Sequence, residues 1–218
     1  MNTEKMLAFL AELKKHNTKE WFDSHREDYA LIRKELIDYC AVLVQGIGKF
    51  DQEILSLEPS KCIFRINRDV RFSTNKDPYK TNMGAYFNKD GKKAFTAGYY
   101  LHIEPGASFL AGGMYAPPSE VLSKVRQEID YNFKDFYKIV NSSAFKSAFG
   151  KLDGEKLSRP PKGYAIDNEA CEYLKHKSFI VVKNLNDSDF RKPDLDKNIL
   201  HNFKHMHPLI KFLNSALV

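Results

Sequence analysis

Between Cys62 and Tyr86 the chain reads CIFRINRDVRFSTNKDPYKTNMGAY, with Arg65, Arg68 and Arg71 followed by Lys76 and Lys80. A guanidinium is a planar five-donor fork that fits carboxylate or phosphate, and arginine is denser here than solubility alone requires. At a period of two, Cys62, Phe64, Ile66, Val70 and Phe72 share one face. Arg65, Asn67, Asp69, Arg71 and Ser73 share the other, which predicts a half-buried strand over 62–72. Arg68 interrupts the alternation. Pointing inward it needs a partner, because an unpaired buried charge is costly; a bulge near Asn67 would instead turn it outward to join the site. On a straight strand Arg65 and Arg71 stand roughly 20 Å apart, too far to grip one phosphate. Arg71 with Lys76 or Lys80 is better placed, since the turn at Asp77-Pro78 folds the lysines back, and Asp69 can orient a guanidinium. The chemistry expected is capture of an anionic group, with Tyr79 alongside. The competing structural reading is a ladder of surface ion pairs.

A second group is Tyr100, His102 and Glu104, alternate residues of a predicted strand. An imidazole serves as general acid or base near neutral pH, so His102, with Asp69, is the catalytic candidate. At about 6.6 Å between alternate positions, these side chains are expected to need an intervening group to communicate. Arg159, Lys162 and Tyr164, in the proline-rich run LSRPPKGY, can close over an anion as a lid. Three functions are therefore carried forward. The first is a site for a phosphate- or carboxylate-bearing small molecule on Arg65, Arg68, Arg71, Lys76, Tyr79, Lys80, Tyr100 and Lys162. The second is a hydrolase or phosphoryl-transfer enzyme using His102 and Asp69. The third is a single-stranded nucleic-acid binder that adds Tyr79, Tyr86, Tyr99 and Tyr100 as stacking platforms.

No cofactor is expected: Gly112-Gly113 leads into neither a dinucleotide fingerprint nor a phosphate loop. His201, His205 and His207 form an HxxxHxH spacing, but no third ligand lies at a motif distance and Pro208 disturbs the geometry, so no metal is assigned.

The positioning elements follow from apolar spacing. Thr3 is placed to cap a helix carrying Met6, Leu7, Phe9, Leu10 and Leu13, and Thr18 to cap the next. Steps of three and four from Phe22 to Ile47 predict a long helix over 18–48, broken near Ser24. Residues 49–61 read as a connection stopped by Pro59. Extended runs are expected at 83–87, 95–104, 108–115 and 178–183, with turns at 88–91 and Pro105-Gly106. Ser119 is placed to cap a helix over 119–141, and residues 195–218 read as helical, kinked or restarted at Pro208. The fold expected is α+β: one domain over 1–218, a mostly antiparallel sheet packed against long amphipathic helices.

With 43% hydrophobic and 28% charged residues in 218, a packed core is affordable, and a net charge of +6 gives a mild preference for anionic partners. Three scattered cysteines without a CxxC pair fit a reducing compartment. The N-terminal segment reads as an amphipathic helix, not a signal peptide, and no run nears the ~18 apolar residues of a membrane span. Cytoplasmic residence and no membrane partner are the expectations.

The run RINRDVRFSTNKDPYKTN resembles the signature of a widespread, mainly bacterial family, domain of unknown function 2461. Supporting matches are Glu20-Trp21-Phe22 with Arg26 and Tyr29, Gly98-Tyr99-Tyr100-Leu101-His102, Gly112-Gly113-Met114-Tyr115 with Pro117, and Pro161-Lys162-Gly163-Tyr164. His25 departs from the family's asparagine. The resemblance covers nearly the whole chain and implies a single-domain cytoplasmic protein. It brings no catalytic residues with it, so the chemistry rests on the side chains above.

Overall fold

In the computed structural model, which describes residues 1–92 and 94–218, the N-terminal apolar stripe folds as α1 (Thr3–Lys15), α2 (Lys19–Ser24) and α3 (Arg26–Gly48). Asn2, not Thr3, caps α1 by accepting from Lys5 N at 3.0 Å; the Thr3 hydroxyl donates instead to Phe190 O. Thr18 caps α2 through Trp21 N, as expected. The break falls at His25, whose ring stacks on Trp21 at 4.0 Å while its Nδ1 lies 2.8 Å from Trp21 O. Residues 49–61 hold more structure than predicted: a 3₁₀ turn at Gln52–Ser56 and a helical turn, α4 (Pro59–Cys62). Pro59 opens that turn instead of stopping the chain, because the first helical position needs no N–H.

Among the described residues four strands, β1 (Met83–Phe87), β2 (Gly98–Ile103), β3 (Phe109–Met114) and β4 (Phe179–Asn184), form an antiparallel sheet in that order. Strand alternation sorts its faces. Tyr99, Leu101, Ile103, Leu110 and Val181 are fully buried on the inner face, where Tyr99 meets Phe203 of α9 (Leu195–Ser215) at 5.3 Å between rings. Gly112 admits α9 closely: a Cβ there would lie 2.5 Å from the Met206 sulfur. The outer face carries the cross-strand rows Tyr86–Tyr100–Ala111–Val182 and Gly84–His102–Phe109–Asn184.

The helix expected over 119–141 divides at Asn132 into α5 (Ser119–Tyr131) and α6 (Phe133–Asn141), and Ser119 makes no cap. α7 (Ser143–Phe149) and α8 (Cys171–Leu174) follow, and α9 runs without a break through Pro208. Most buried apolar side chains form one cluster, drawn from the helices, the inner sheet face and the segments between them. The fold is α+β.

The strand predicted over 62–72 does not form. Residues 63–68 lie beside 78–85, but only Ile63–Ala85 and Asn67–Tyr79 make isolated bridges. Phe64 N donates to Gly84 O, whereas Lys80 N donates to Ile66 O and Arg68 N to Pro78 O. The pairing therefore slips by two residues between Lys80 and Gly84, and a regular ladder cannot pass through such a slip. Cys62 and Ile66 are buried as expected, but Phe64 is 37% and Phe72 96% exposed.

Candidate functional site

The outer sheet face and the irregular segment 64–82 enclose a hollow of about 930 Å³. Its floor is Tyr100, His102, Phe109, Ala111, Ile180 and Val182; its rim includes Phe64, Arg68, Asp69, Lys80 and Lys92.

Across the floor runs a hydrogen-bonded chain. The Tyr100 hydroxyl lies 2.9 Å from His102 Nδ1, His102 Nε2 lies 3.1 Å from Glu104 Oε2, and Thr81 Oγ1 donates to Glu104 Oε1 at 3.0 Å. The expectation that these residues need an intermediary is thus corrected: long side chains lean along the strand and close the gap. A carboxylate beside Nε2 draws the ring proton there, so Nδ1 accepts from the Tyr100 O–H. Phe109 stacks on the imidazole at 4.5 Å and 14°, fixing its plane. Gly84 makes room for the phenol, since a Cβ there would lie 2.6 Å from the Tyr100 oxygen. Burial, then the charge of Glu104, pushes the Tyr100 phenol up to about 12, so it keeps its proton at neutral pH.

The cations divide into separate groups. Arg68 is half-buried and donates to Asp77 O at 3.1 Å and Ser73 Oγ at 3.4 Å, so its partners are uncharged oxygens. Arg71 is exposed and grips Asp69 through Nε–Oδ1 at 3.0 Å and Nη2–Oδ2 at 2.7 Å. Those bonds hold the Asp69 carboxyl below its ordinary value and occupy it. Lys76 Nζ donates to Val70 O on the exposed turn. Lys80 Nζ donates to Arg65 O at 2.9 Å, and Lys92 Nζ to Ile63 O. Both ammonium groups approach the Phe64 ring, at 5.6 and 5.3 Å from its centroid. Burial lowers both pKa values, and neighbouring cations push the same way: Arg65 and Lys92 on Lys80, Arg33 on Lys92.

Arg65 and Tyr79 line a different cleft, against α3. Tyr79 is buried there, stacked on Phe22 at 4.0 Å, with its backbone N and O both bonded to the Asn17 side chain. Lys162 is exposed on the irregular 157–164 segment and lines neither hollow. Tyr99 is fully buried, its hydroxyl bonded to Asp51 at 2.9 Å and 2.8 Å from His207 Nδ1, so it cannot stack on a base. His201 and His205 face each other at 4.4 Å, and no cluster of three metal-capable side chains occurs among the described residues.

The model of the family described as conserved hypothetical protein (DUF2461) matches residues 5–212. The chain belongs to that family. No curated protein and no solved structure matches it. The DUF2461 match includes every residue of both hollows. Among the described residues, no helix is long and apolar enough to cross a membrane.

Sequence reasoning missed Lys92, Phe109 and Arg33 as site residues. Lys92 follows a turn glycine and carries no local signal. Phe109 is legible only through its register opposite His102. Arg33 had a usable signal: no carboxylate stands three or four residues to either side of it.

Proposed function

We propose that the 930 Å³ hollow binds a small molecule with a carboxylate or phosphate at one end and an apolar, ring-sized body. One observation carries this: Lys80 and Lys92 converge on Phe64, bonded only to backbone carbonyls, with no carboxylate paired to either among the described residues. Two partly buried like charges raise each other's energy, and an anion between them relieves that repulsion. The floor of Phe109, Ala111, Ile180 and Val182 suits the apolar body. Arg68 adds a third cation at the rim.

Thermal shift with three probes tests this reading. Phenyl phosphate should stabilise the protein more than inorganic phosphate or benzyl alcohol, and Lys80→Gln with Lys92→Gln should remove that excess. Equal shifts from all three probes, or an excess that survives the double substitution, would sink it.

A second reading, acid–base catalysis on the same ligand, is favoured by the Tyr100–His102–Glu104 chain. Both ring nitrogens of His102 are engaged, so the atom offered to a ligand is the Tyr100 oxygen. A water held against the ligand's ester would pass its proton to that oxygen as the Tyr100 proton moves to Nδ1; the hydroxide so formed displaces the ester's alcohol, which takes the proton back from the imidazolium through Tyr100. Asp69, occupied by Arg71, supports no such role. In a screen of phosphate and carboxylate esters, Tyr100→Phe and His102→Gln should suppress turnover while phenyl phosphate still binds; turnover unchanged in both removes this reading.

A further inference from the structure

A separate cleft of about 520 Å³ lies between α3 and residues 64–67. Three guanidinium groups line it: Arg26 and Arg33 from α3, and Arg65 from the facing segment, together with Tyr29, Asn67 and Tyr79. Among the described residues, no carboxylate lines it.

Helical spacing brings the first two together, since Arg26, Ala30 and Arg33 stand at i, i+4 and i+7 on one face. The same helix pairs Lys34 with Asp38 at 3.7 Å, one turn on. Arg33 has only Tyr29, Ala30, Leu36 and Ile37 at the corresponding positions, so α3 offers it no acid. Among the described residues the Arg33 and Arg65 side chains make no hydrogen bond and no ion pair. Asp23 is held by Arg26 at 2.5 Å, and the nearby Asp69 is held by Arg71. Lys80 and Lys92 stand behind the cleft and add to its field: burial lowers both pKa values most, and Arg65 on Lys80 and Arg33 on Lys92 push the same way. Converging guanidiniums repel one another, and a decorative surface would interleave them with acids.

We propose that this cleft is a second anion site, for a phosphate-class oligoanion gripped by the Arg33 and Arg65 forks, with Arg26 and the Asn67 amide at its edge. Arginine suits that task because its paired N–H groups match two phosphate oxygens at once. The cleft shares Phe64 with the 930 Å³ hollow but none of its lining cations, so each assignment is tested by substitutions of its own.

Calorimetric titration with inorganic pyrophosphate at low salt, free of divalent metal, tests the assignment. The Arg33, Arg65, Arg159 and Lys162 side chains are exposed, so variants at these positions should keep the wild-type melting temperature. Arg33→Gln with Arg65→Gln is expected to weaken pyrophosphate on the order of tenfold or more. Arg33→Lys with Arg65→Lys, which keeps the charge and loses the fork, should recover little of it. Arg159→Gln with Lys162→Gln, as a remote control, should stay within about threefold of wild type. The proposal is overturned if wild type shows no binding at millimolar pyrophosphate, if the lysine pair binds as well as the arginines, or if all double variants weaken alike. That last pattern would mark diffuse surface charge.

Discussion

The Tyr100 hydroxyl meets His102 Nδ1 at 2.9 Å, although the two residues are alternate positions on one strand. The contact depends on Gly84 across the sheet, whose missing side chain is the space the phenol occupies.

Gly84→Ala should therefore break the chain from a distance. The new methyl would lie 2.6 Å from the Tyr100 oxygen, so the phenol must swing away or the strand must shift. Overpacking of this kind costs about 1–3 kcal/mol. Urea denaturation should show that loss, and nitrogen NMR of His102 should show Nδ1 without its donor. An unchanged imidazole spectrum would refute the coupling.

Asn17 acts as a surrogate strand partner, accepting from Tyr79 N at 3.1 Å and donating to Tyr79 O at 3.0 Å. Asn17→Ala leaves two partly buried backbone groups unpaired, each worth about 1–3 kcal/mol when buried without a partner. The expected outcome is lower stability with faster amide exchange at Tyr79; protection equal to wild type contradicts it.

Acid should destabilise the fold through His176. Burial, with the charge of Lys156 adding to it, pushes this imidazole down to about 4, and Nδ1 has no hydrogen-bond partner. The unfolded chain keeps the ordinary value near ~6.5. Below that pH the unfolded state takes up a proton that the folded state refuses, so stability is full above it and drains away toward about 4. Urea midpoints at pH 7.5, 5.5 and 4.5 should fall less steeply for His176→Phe than for wild type.

Arg71→Ala should leave phenyl phosphate and pyrophosphate affinities within about twofold, because this guanidinium is exposed and already matched by Asp69. A large loss of either would return Arg71 to the site.

Alkali should release the ligand from the hollow early. Burial and neighbouring cations lower the Lys80 pKa, and burial with Arg33 lowers that of Lys92, so both ammonium groups lose their protons before the usual lysine range near ~10.4. Phenyl phosphate affinity should be constant near neutrality and decline before that range as pH rises. A profile that is flat until the ordinary lysine value would contradict the lysine assignment.

Much of the scaffold was legible because alternation and helical spacing report which way side chains face. Residues 83–87 were read at their true bounds, and the inner face of β2 followed from Tyr99, Leu101 and Ile103. The same alternation misled over 62–72, because a period describes facing and not whether a partner strand keeps register. The two-residue slip between Lys80 and Gly84 has no signature in the segment opposite. At the site, the sequence points to Tyr100 and His102 but not to their contact, because alternate strand positions stand ~6.6 Å apart and only the side-chain tips close that distance. The arginines were read as one row, yet Arg65, Arg68 and Arg71 ended in three environments once regular pairing failed.

Phe64 is a wall common to the α3 cleft and the sheet-face hollow. A guest that turned this ring on one side would reshape the chamber on the other. Occupancy of the two would then be thermodynamically reciprocal: whatever preference a first guest imposed on a second, the second would impose equally on the first. A single aromatic side chain would make the pair a communicating unit without any movement of the sheet.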